Sequence, residues 1–298
     1  MTSSYLNPFI VQAIIGLLVL SLLGACTEKK LTNPIDFTST PELVPVSPGL
    51  VDEASGLADS RMIDNHLWVN EDSDTPAQLN LLARNGKLVG RLLLPGVQNR
   101  DWEDMTAGPG PQLGVNYLYL ADIGDNTGIN SVNYIYRLPE PRNLTDSAPA
   151  VERITFRYAD GPRDAETLML DPLTRDLWII SKNETNVRLY HLPYPQSTTA
   201  VTTALFKGEI PLSIVTSGSI APSGREILLK TYLGVYYWPR LTGESVDQAL
   251  RKTQPRSINY VIEPQGEAIC FDKEGNGFFT LSERGKAASV AVNYYKRL

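Results

Sequence analysis

The chain has 298 residues, 42% of them hydrophobic and 20% charged, with a formal net charge of −6. That composition is ordinary for a globular protein. The acidic balance, with a sequence pI of about 5.1, argues against nucleic acid as a partner and for cations or neutral ligands.

The first element is apolar. Residues 7–26 read NPFIVQAIIGLLVLSLLGAC and carry no charge. The core from Phe9 to Leu23 is short for a membrane-spanning helix, which needs about 20 apolar residues. It ends in Leu23-Gly24-Ala25-Cys26, a run that resembles the lipobox of bacterial lipoproteins, with small residues before the cleavage point. This reading makes residues 1–25 a signal peptide and Cys26 the lipidated residue, anchoring the chain outside the cytoplasm. Thr27 is not the aspartate linked to inner-membrane retention, so an outer membrane is the expected destination. The segment MTSSYLN ahead of the apolar core has no Lys or Arg, and an ordinary N-terminal membrane anchor is the alternative. With Cys26 acylated, Cys270 in EAICFD has no disulfide partner and is expected in a core.

Residues 26–48 are polar and proline-rich and read as a tether. One strand is expected within it, near Ile35 to Phe37 or Leu43 to Val46. Beyond it, only SVDQALRK, Ser245 to Lys252, has a helical pattern. The rest is short apolar runs broken by Gly, Pro, Asn and Asp, which predicts an all-β domain over residues 49–298.

Five segments share one grammar, beginning at Glu53, Asp101, Asp164, Thr216 and Gln265. Each has a strand, a turn and a second strand ending in polar residues. The turns DPLTRD, PSGRE and DKEGNG carry the Pro, Gly and Asp that tight turns require. The intervals of 48, 63, 52 and 49 residues match propeller blades of four strands each. Third strands are read in AQLNLLARNG, NYIYRLPEP, VRLYHLPYP, GVYYWPR and SVAVNYYKRL. Fourth strands are read in KLVGRLLLPG, RITFRYADG, ALFKGEIPL and INYVIEP. The last copy has no fourth strand, so the N-terminal strand is expected to fill that place and close the ring. A β-propeller of five blades is the expectation, with six as the alternative.

The combination of WED, LADIGDN, YRLPEP, DAETL and GEA resembles a family of bacterial β-propeller lipoproteins. More distantly it is similar to NHL-repeat, SdiA-regulated and SMP-30-like propellers. The last resemblance implies a central calcium held by acidic and amide side chains, although the asparagine-rich inner positions of those enzymes are missing here.

In such a blade the first strand lines the channel, and residues two apart share a side. Aligning the copies on Leu57, Met105, Leu168, Ile220 and Ile269 sets Ser55, Glu103, Glu166, Gly218 and Glu267 at one level of the mouth. Glu53, Asp101, Asp164, Thr216 and Gln265 fall one step above. Glu53, Asp101, Glu103, Asp164, Glu166 and Glu267 are therefore the candidate metal ligands. Asp104, Asp122, Asp125, Asn126, Glu71, Lys182, Lys230, Tyr232 and Glu283 are the candidate ligand face. Crowded carboxylates need relief by a cation, by protons or by basic partners. A bound calcium, salt bridges from Lys182, Lys230 and Arg163, and structural hydrogen bonds are competing outcomes.

Asp122, Asp125 and Asn126 in DIGDNTG lack the bidentate Glu of an EF-hand. No GxSxG, HExxH or phosphate-cradling glycine loop occurs. His66 and His191 read as turn and strand residues. Trp68 and Trp178 read as inter-blade packing, and Trp102 and Tyr232 as neighbours of the mouth. Two functions fit: a monomeric, membrane-anchored binding module for a small ligand, glycan or protein; or a calcium-dependent hydrolase of lactonase, esterase or phytase type with Glu103 or Glu166 as base.

Overall fold

The computed structural model describes Met1 and residues 36–73, 75–144, 150–252 and 254–298. The charge-free segment, the lipobox with Cys26 and the start of the tether lie outside the described residues. Among the described residues, no helix is long and apolar enough to cross a membrane.

The chain from Asp36 onward is one compact unit, so the expected tether is part of the fold from that residue. Strand β1 (Glu42–Val46) opens it. Then come β2 (Ala54–Asp59), β3 (His66–Glu71), β4 (Gln78–Ala83) and β5 (Leu88–Leu93), an antiparallel sheet in that order. The grammar repeats in β6 (Trp102–Pro109), β7 (Asn116–Asp122), β8 (Asn133–Pro139) and β9 (Glu152–Tyr158), and again in β10 (Ala165–Leu170), β11 (Leu177–Ser181), β12 (Val187–Leu192) and β13 (Thr202–Ile210). The fourth unit is β14 (Val215–Ile220), β15 (Glu226–Thr231), β16 (Gly234–Pro239) and β17 (Arg256–Ile258). The fifth is β18 (Ala268–Phe271), β19 (Gly277–Leu281) and β20 (Val290–Lys296).

The architecture is all-β and of propeller type. The first strands pack side by side: β2 on β6, β6 on β10, β10 on β14, β14 on β18, and β18 on β2. Three hydrophobic clusters join the first unit to the second, the second to the third and the third to the fourth; another joins the fifth to the first. Trp68 is fully buried in the first of these and Trp178 nearly so in the third. The cores therefore lie between sheets, because the inner strands, such as β2, β10, β11, β14, β15, β18 and β19, are buried on both faces.

The hairpin turns form as their residues dictate. Asp272 accepts the amides of Glu274 and Asn276 at 3.1 and 2.8 Å, which folds the chain back on itself. Gly275 completes that turn at φ +76°, where a side chain would be strained. Asp171 works the same way, accepting the Leu173 amide at 3.0 Å and the Thr174 hydroxyl at 3.1 Å.

On the outer edge of the fifth unit, β1 pairs antiparallel with β20, from Glu42 opposite Tyr294 to Val46 opposite Val290. Phe37 bridges to Arg297 and sits edge-on against Phe278 at 5.0 Å. A feature that the repeats did not announce joins the second and third units. Strand β13 pairs in parallel with β9, at Thr202–Phe156, Thr203–Arg157 and Ala204–Tyr158, making one eight-stranded sheet.

One expected strand is displaced. INYVIEP is the expected fourth strand of its unit, but pairing ends at Ile258 opposite Val235. The following residues cross to the fifth unit. The Val261 amide donates to the Tyr295 hydroxyl at 3.1 Å, and Glu263 accepts from Thr280 and from Asn293. Those polar partners outcompete a longer edge pairing. The expected helix is α1 (Val246–Lys252); the Ser245 amide donates to Gln248 Oε1 at 3.1 Å, half of a capping box.

Candidate functional site: an acidic mouth

A bulge sets the geometry. In each of the first four units the register jumps by one residue near the start of the first strand, between Ala54 and Gly56, Trp102 and Asp104, Ala165 and Thr167, and Val215 and Ser217. The extra residues are Ser55, Glu103, Glu166 and Thr216. Such a bulge re-aims one side chain out of the ladder. Glu267 holds the same place in the fifth unit, since Ala268 faces Leu281 where Asp104 faces Ala121. Glu103, Glu166 and Glu267 thus share a level, each 8% exposed or less.

The fourth unit corrects the sequence alignment. Thr216, not Gly218, stands level with the glutamates, and its hydroxyl donates to the Gly266 carbonyl at 3.1 Å. Gly218 occupies the place of Leu57, Met105 and Leu168, so aligning on Ile220 slipped this copy by two residues.

Asp72, Asp101 and Glu103 converge, with one carboxylate oxygen of each within 4.8 Å of the others. Asp72 follows the end of β3, and Asp101 and Glu103 flank Trp102. Burial pushes the Asp101 carboxyl up to about 6, with Asp72 and Asp164 adding repulsion. Burial raises Glu103 well above the ordinary range, followed by repulsion from Asp72 and Asp101, while Lys182 opposes. Gly124 makes the approach possible. A Cβ there would lie 2.3 Å from Glu103 Oε1 and 2.4 Å from Asp101 Cγ.

Across the mouth Lys182 forms an ion pair with Glu166 and lies 5.6 Å from the Tyr232 ring. The second oxygen of Glu166 is buried and takes no hydrogen bond. Tyr232 donates to Glu267 Oε1 at 2.7 Å. Burial raises Glu267, and Tyr232, Lys182 and Lys230 pull the other way. Glu283 accepts from the Gln265 amide at 2.9 Å. Burial, then Glu53, pushes it up to about 7.

Other expected ligand-face residues do different work. Asp104 is fully buried; it accepts the amides of Met105 and Leu168 at 2.9 Å each and the Ser217 hydroxyl at 3.1 Å. It fastens three first strands together below the mouth. Asp122 is 1% exposed and is met by the Arg100 guanidinium at 3.1 Å. Asp125 caps its own loop through the amides of Ile129 and Asn130 at 3.0 and 2.8 Å, and Asn126 beyond it is exposed. Asp164 accepts the Asp125 amide at 2.9 Å and the Asn183 amide group at 2.8 Å. Glu71 accepts the amide of Asp52 at 3.1 Å and the Asn80 side chain at 2.9 Å. Lys230 is fully buried, with its ammonium on the Gly266 carbonyl at 2.6 Å; burial pulls its pKa down. Arg163 pairs with Asp160 and Glu184, at 2.9 and 3.0 Å. Trp102 is fully buried beside Tyr136, not open to the mouth. His191 stacks on Trp178 at 4.4 Å, and Cys270 is buried.

Asp72 is the residue that sequence reasoning left out of the metal set. In the fold Asp72, Lys182 and Glu283 hold equivalent places, each donating a backbone amide to the residue one step above the glutamate level, at 2.9, 3.3 and 3.0 Å. They form an upper rim contributed by second strands.

No protein-family model matches the chain, and no curated protein matches it. Solved structures of similar shape include a nidogen/laminin complex, with 9% identity and a TM-score of 0.46 over 77% of this chain and 72% of that one. Another is an auxiliary nutrient binding protein from Bacteroides thetaiotaomicron VPI-5482, with 10% identity and a TM-score of 0.49 over 87% and 73%. A third is the Dos1 propeller, with 12% identity and a TM-score of 0.39 over 82% and 68%. At such values the likeness says nothing about chemistry.

Proposed function

We propose that the chain is a monomeric five-bladed β-propeller, closed by β1 and carried outside the cytoplasm on a lipidated Cys26. In this reading it is a binding module whose acidic mouth holds calcium. The convergence of Asp72, Asp101 and Glu103 within 4.8 Å carries the proposal. These are hard oxygen donors, as calcium requires, and a calcium shell of 6–8 oxygens leaves places for water or for an oxygen of the bound partner. Burial with mutual repulsion makes the trio costly without a cation. On the far side Lys182 neutralises Glu166, Tyr232 donates to Glu267, and Asp164 is taken by the Asp125 amide and Asn183, so these three are left out of the proposed metal set. Glu53 belongs with Glu283 on the rim.

Calorimetric titration of the full-length chain with calcium, with and without chelator, tests the site. Saturable binding that Glu103→Gln and Asp101→Asn abolish supports it. A melting temperature and a heat signal indifferent to calcium would sink it.

A hydrolase is the second reading, favoured by one group. Glu166 is occupied by Lys182 and Glu103 by the trio, but Glu283 is a part-exposed carboxyl held at about 7, in the range useful to a general base. Turnover of a lactone, ester or phosphate substrate that Glu283→Gln removes would establish it.

A further inference from the structure

A second candidate binding place lies away from the mouth, in the groove between the first and second units. A cavity of about 740 Å³ opens there, walled by Pro95, Val97 and Val151 and faced by Arg100, Tyr134, Tyr136 and Arg153. Its size falls within the range of small-molecule sites, about 300–1,000 Å³. In a chain of net charge −6, this cavity gathers two guanidiniums around one phenol. Arg100 lies 5.3 Å from the Tyr134 ring and Arg153 lies 5.2 Å from it.

The two arginines are not equivalent. Arg100 is fixed: it donates to the carbonyls of Val132 and Asp122 at 3.1 Å and to Asn133 at 2.9 Å, and it pairs with Asp122. Among the described lining residues it neutralises the carboxylate, Asp122. Arg153 is exposed and projects from β9 beside the ring. Its planar fork suits a carboxylate. Among the described residues the remaining polar lining is neutral: the phenols of Tyr134 and Tyr136, the Gln98 amide and the Thr198 hydroxyl. Such groups match hydroxyls, and the Pro95 and Val151 walls match the C–H face of a saturated ring.

We propose that this cavity binds a sugar acid, a polyhydroxy ring carrying one carboxylate, with Arg153 on the carboxylate and the tyrosines on the hydroxyls. It goes beyond the calcium reading and does not depend on it.

Titration of the full-length chain with D-glucuronate, by calorimetry and saturation-transfer NMR, is the test. D-glucose, benzoate and inorganic phosphate serve as comparison probes, each with and without chelator. The proposal expects saturable glucuronate binding that chelator leaves unchanged and that glucose fails to match by at least tenfold. Arg153→Gln should weaken it at least tenfold and Tyr134→Phe several-fold, both with unchanged melting temperature. Absence of glucuronate binding, or binding that Arg153→Gln leaves intact, overturns it. Benzoate or phosphate binding as tightly as glucuronate overturns the sugar-acid assignment. Loss with chelator returns the ligand to the mouth.

Discussion

The Ser217 hydroxyl donates to the Asp104 carboxylate at 3.1 Å across 113 residues of chain. The same carboxylate takes the Leu168 amide at 2.9 Å, so one side chain links β6, β10 and β14. Replacing it with alanine leaves buried donors without an acceptor. Asp104→Ala should cost roughly 3 kcal/mol and Ser217→Ala about 1 kcal/mol. Urea unfolding measures both, and a cost for Asp104→Ala no larger than for Ser217→Ala would refute the linkage.

The mouth predicts an unusual dependence of stability on pH. Asp101 and Glu283 titrate near 6 and 7 in the fold, against about 4 in an unfolded chain. The native state therefore binds more protons than the unfolded state between those values. The stabilisation this gives is complete below about pH 4 and is lost as pH rises through 6 to 7. With chelator present, the melting temperature should fall from pH 5 to pH 8. Excess calcium, which binds the ionised carboxylates, should flatten or invert that slope. A chelated protein whose melting temperature is level or climbs over this interval contradicts the assignment.

Gly124 offers a substitution without charge. A methyl group there would collide with Glu103 and Asp101, and Gly124 is not at positive φ, so alanine adds no backbone strain. Gly124→Ala should weaken calcium by at least roughly tenfold while the fold is kept, since metal ligands misplaced from their shell lose affinity steeply. Circular dichroism with calcium titration separates the two effects.

Lys182 repels any cation in the trio. Lys182→Met should tighten calcium by roughly tenfold if the charges couple at an effective dielectric near 20. It should also destabilise the calcium-free protein, because Glu166 is left buried and unpaired. Calcium affinity that falls in this variant would show that the ammonium shapes the site in some other way.

Phe37 is 1% exposed and packs edge-on against Phe278. Phe37→Ala should cost about 3–5 kcal/mol by loosening the segment that leads into β1. A loss under 1 kcal/mol in chemical denaturation would mean that this segment contributes little to closure.

Much of the strand order was legible because turn chemistry is local. Asp171, Gly224 and Gly275 mark hairpins whatever the rest of the chain does. The third strands were equally plain, since their aromatic and branched residues recur after each hairpin. The bulges were not legible: an extra residue in a strand leaves the composition unchanged, and in the fourth unit Gly218 removed the apolar marker. The roles of carboxylates were legible only in part. Asp122 and Asp125 look alike in DIGDN, yet one meets Arg100 and the other caps its own loop. Asp72 was not legible as a ligand because its importance depends on Asp101 and Glu103 arriving from another unit. The end of β17 at Ile258 was hidden for the same reason, as Glu263 finds Thr280 and Asn293 only once the fifth unit is in place.

The parallel pairing of β9 with β13 makes the seams between sheets unequal. At that seam the rims are stitched by backbone bonds as well as by apolar packing; the seam between the first and second units, which holds the 740 Å³ cavity, relies on side chains. Thermal breathing should concentrate where the stitching is missing, so amides along the edge strand β5 should exchange with solvent before those of β9 and β13. The groove proposed to take a ligand is then also the one best able to widen for it.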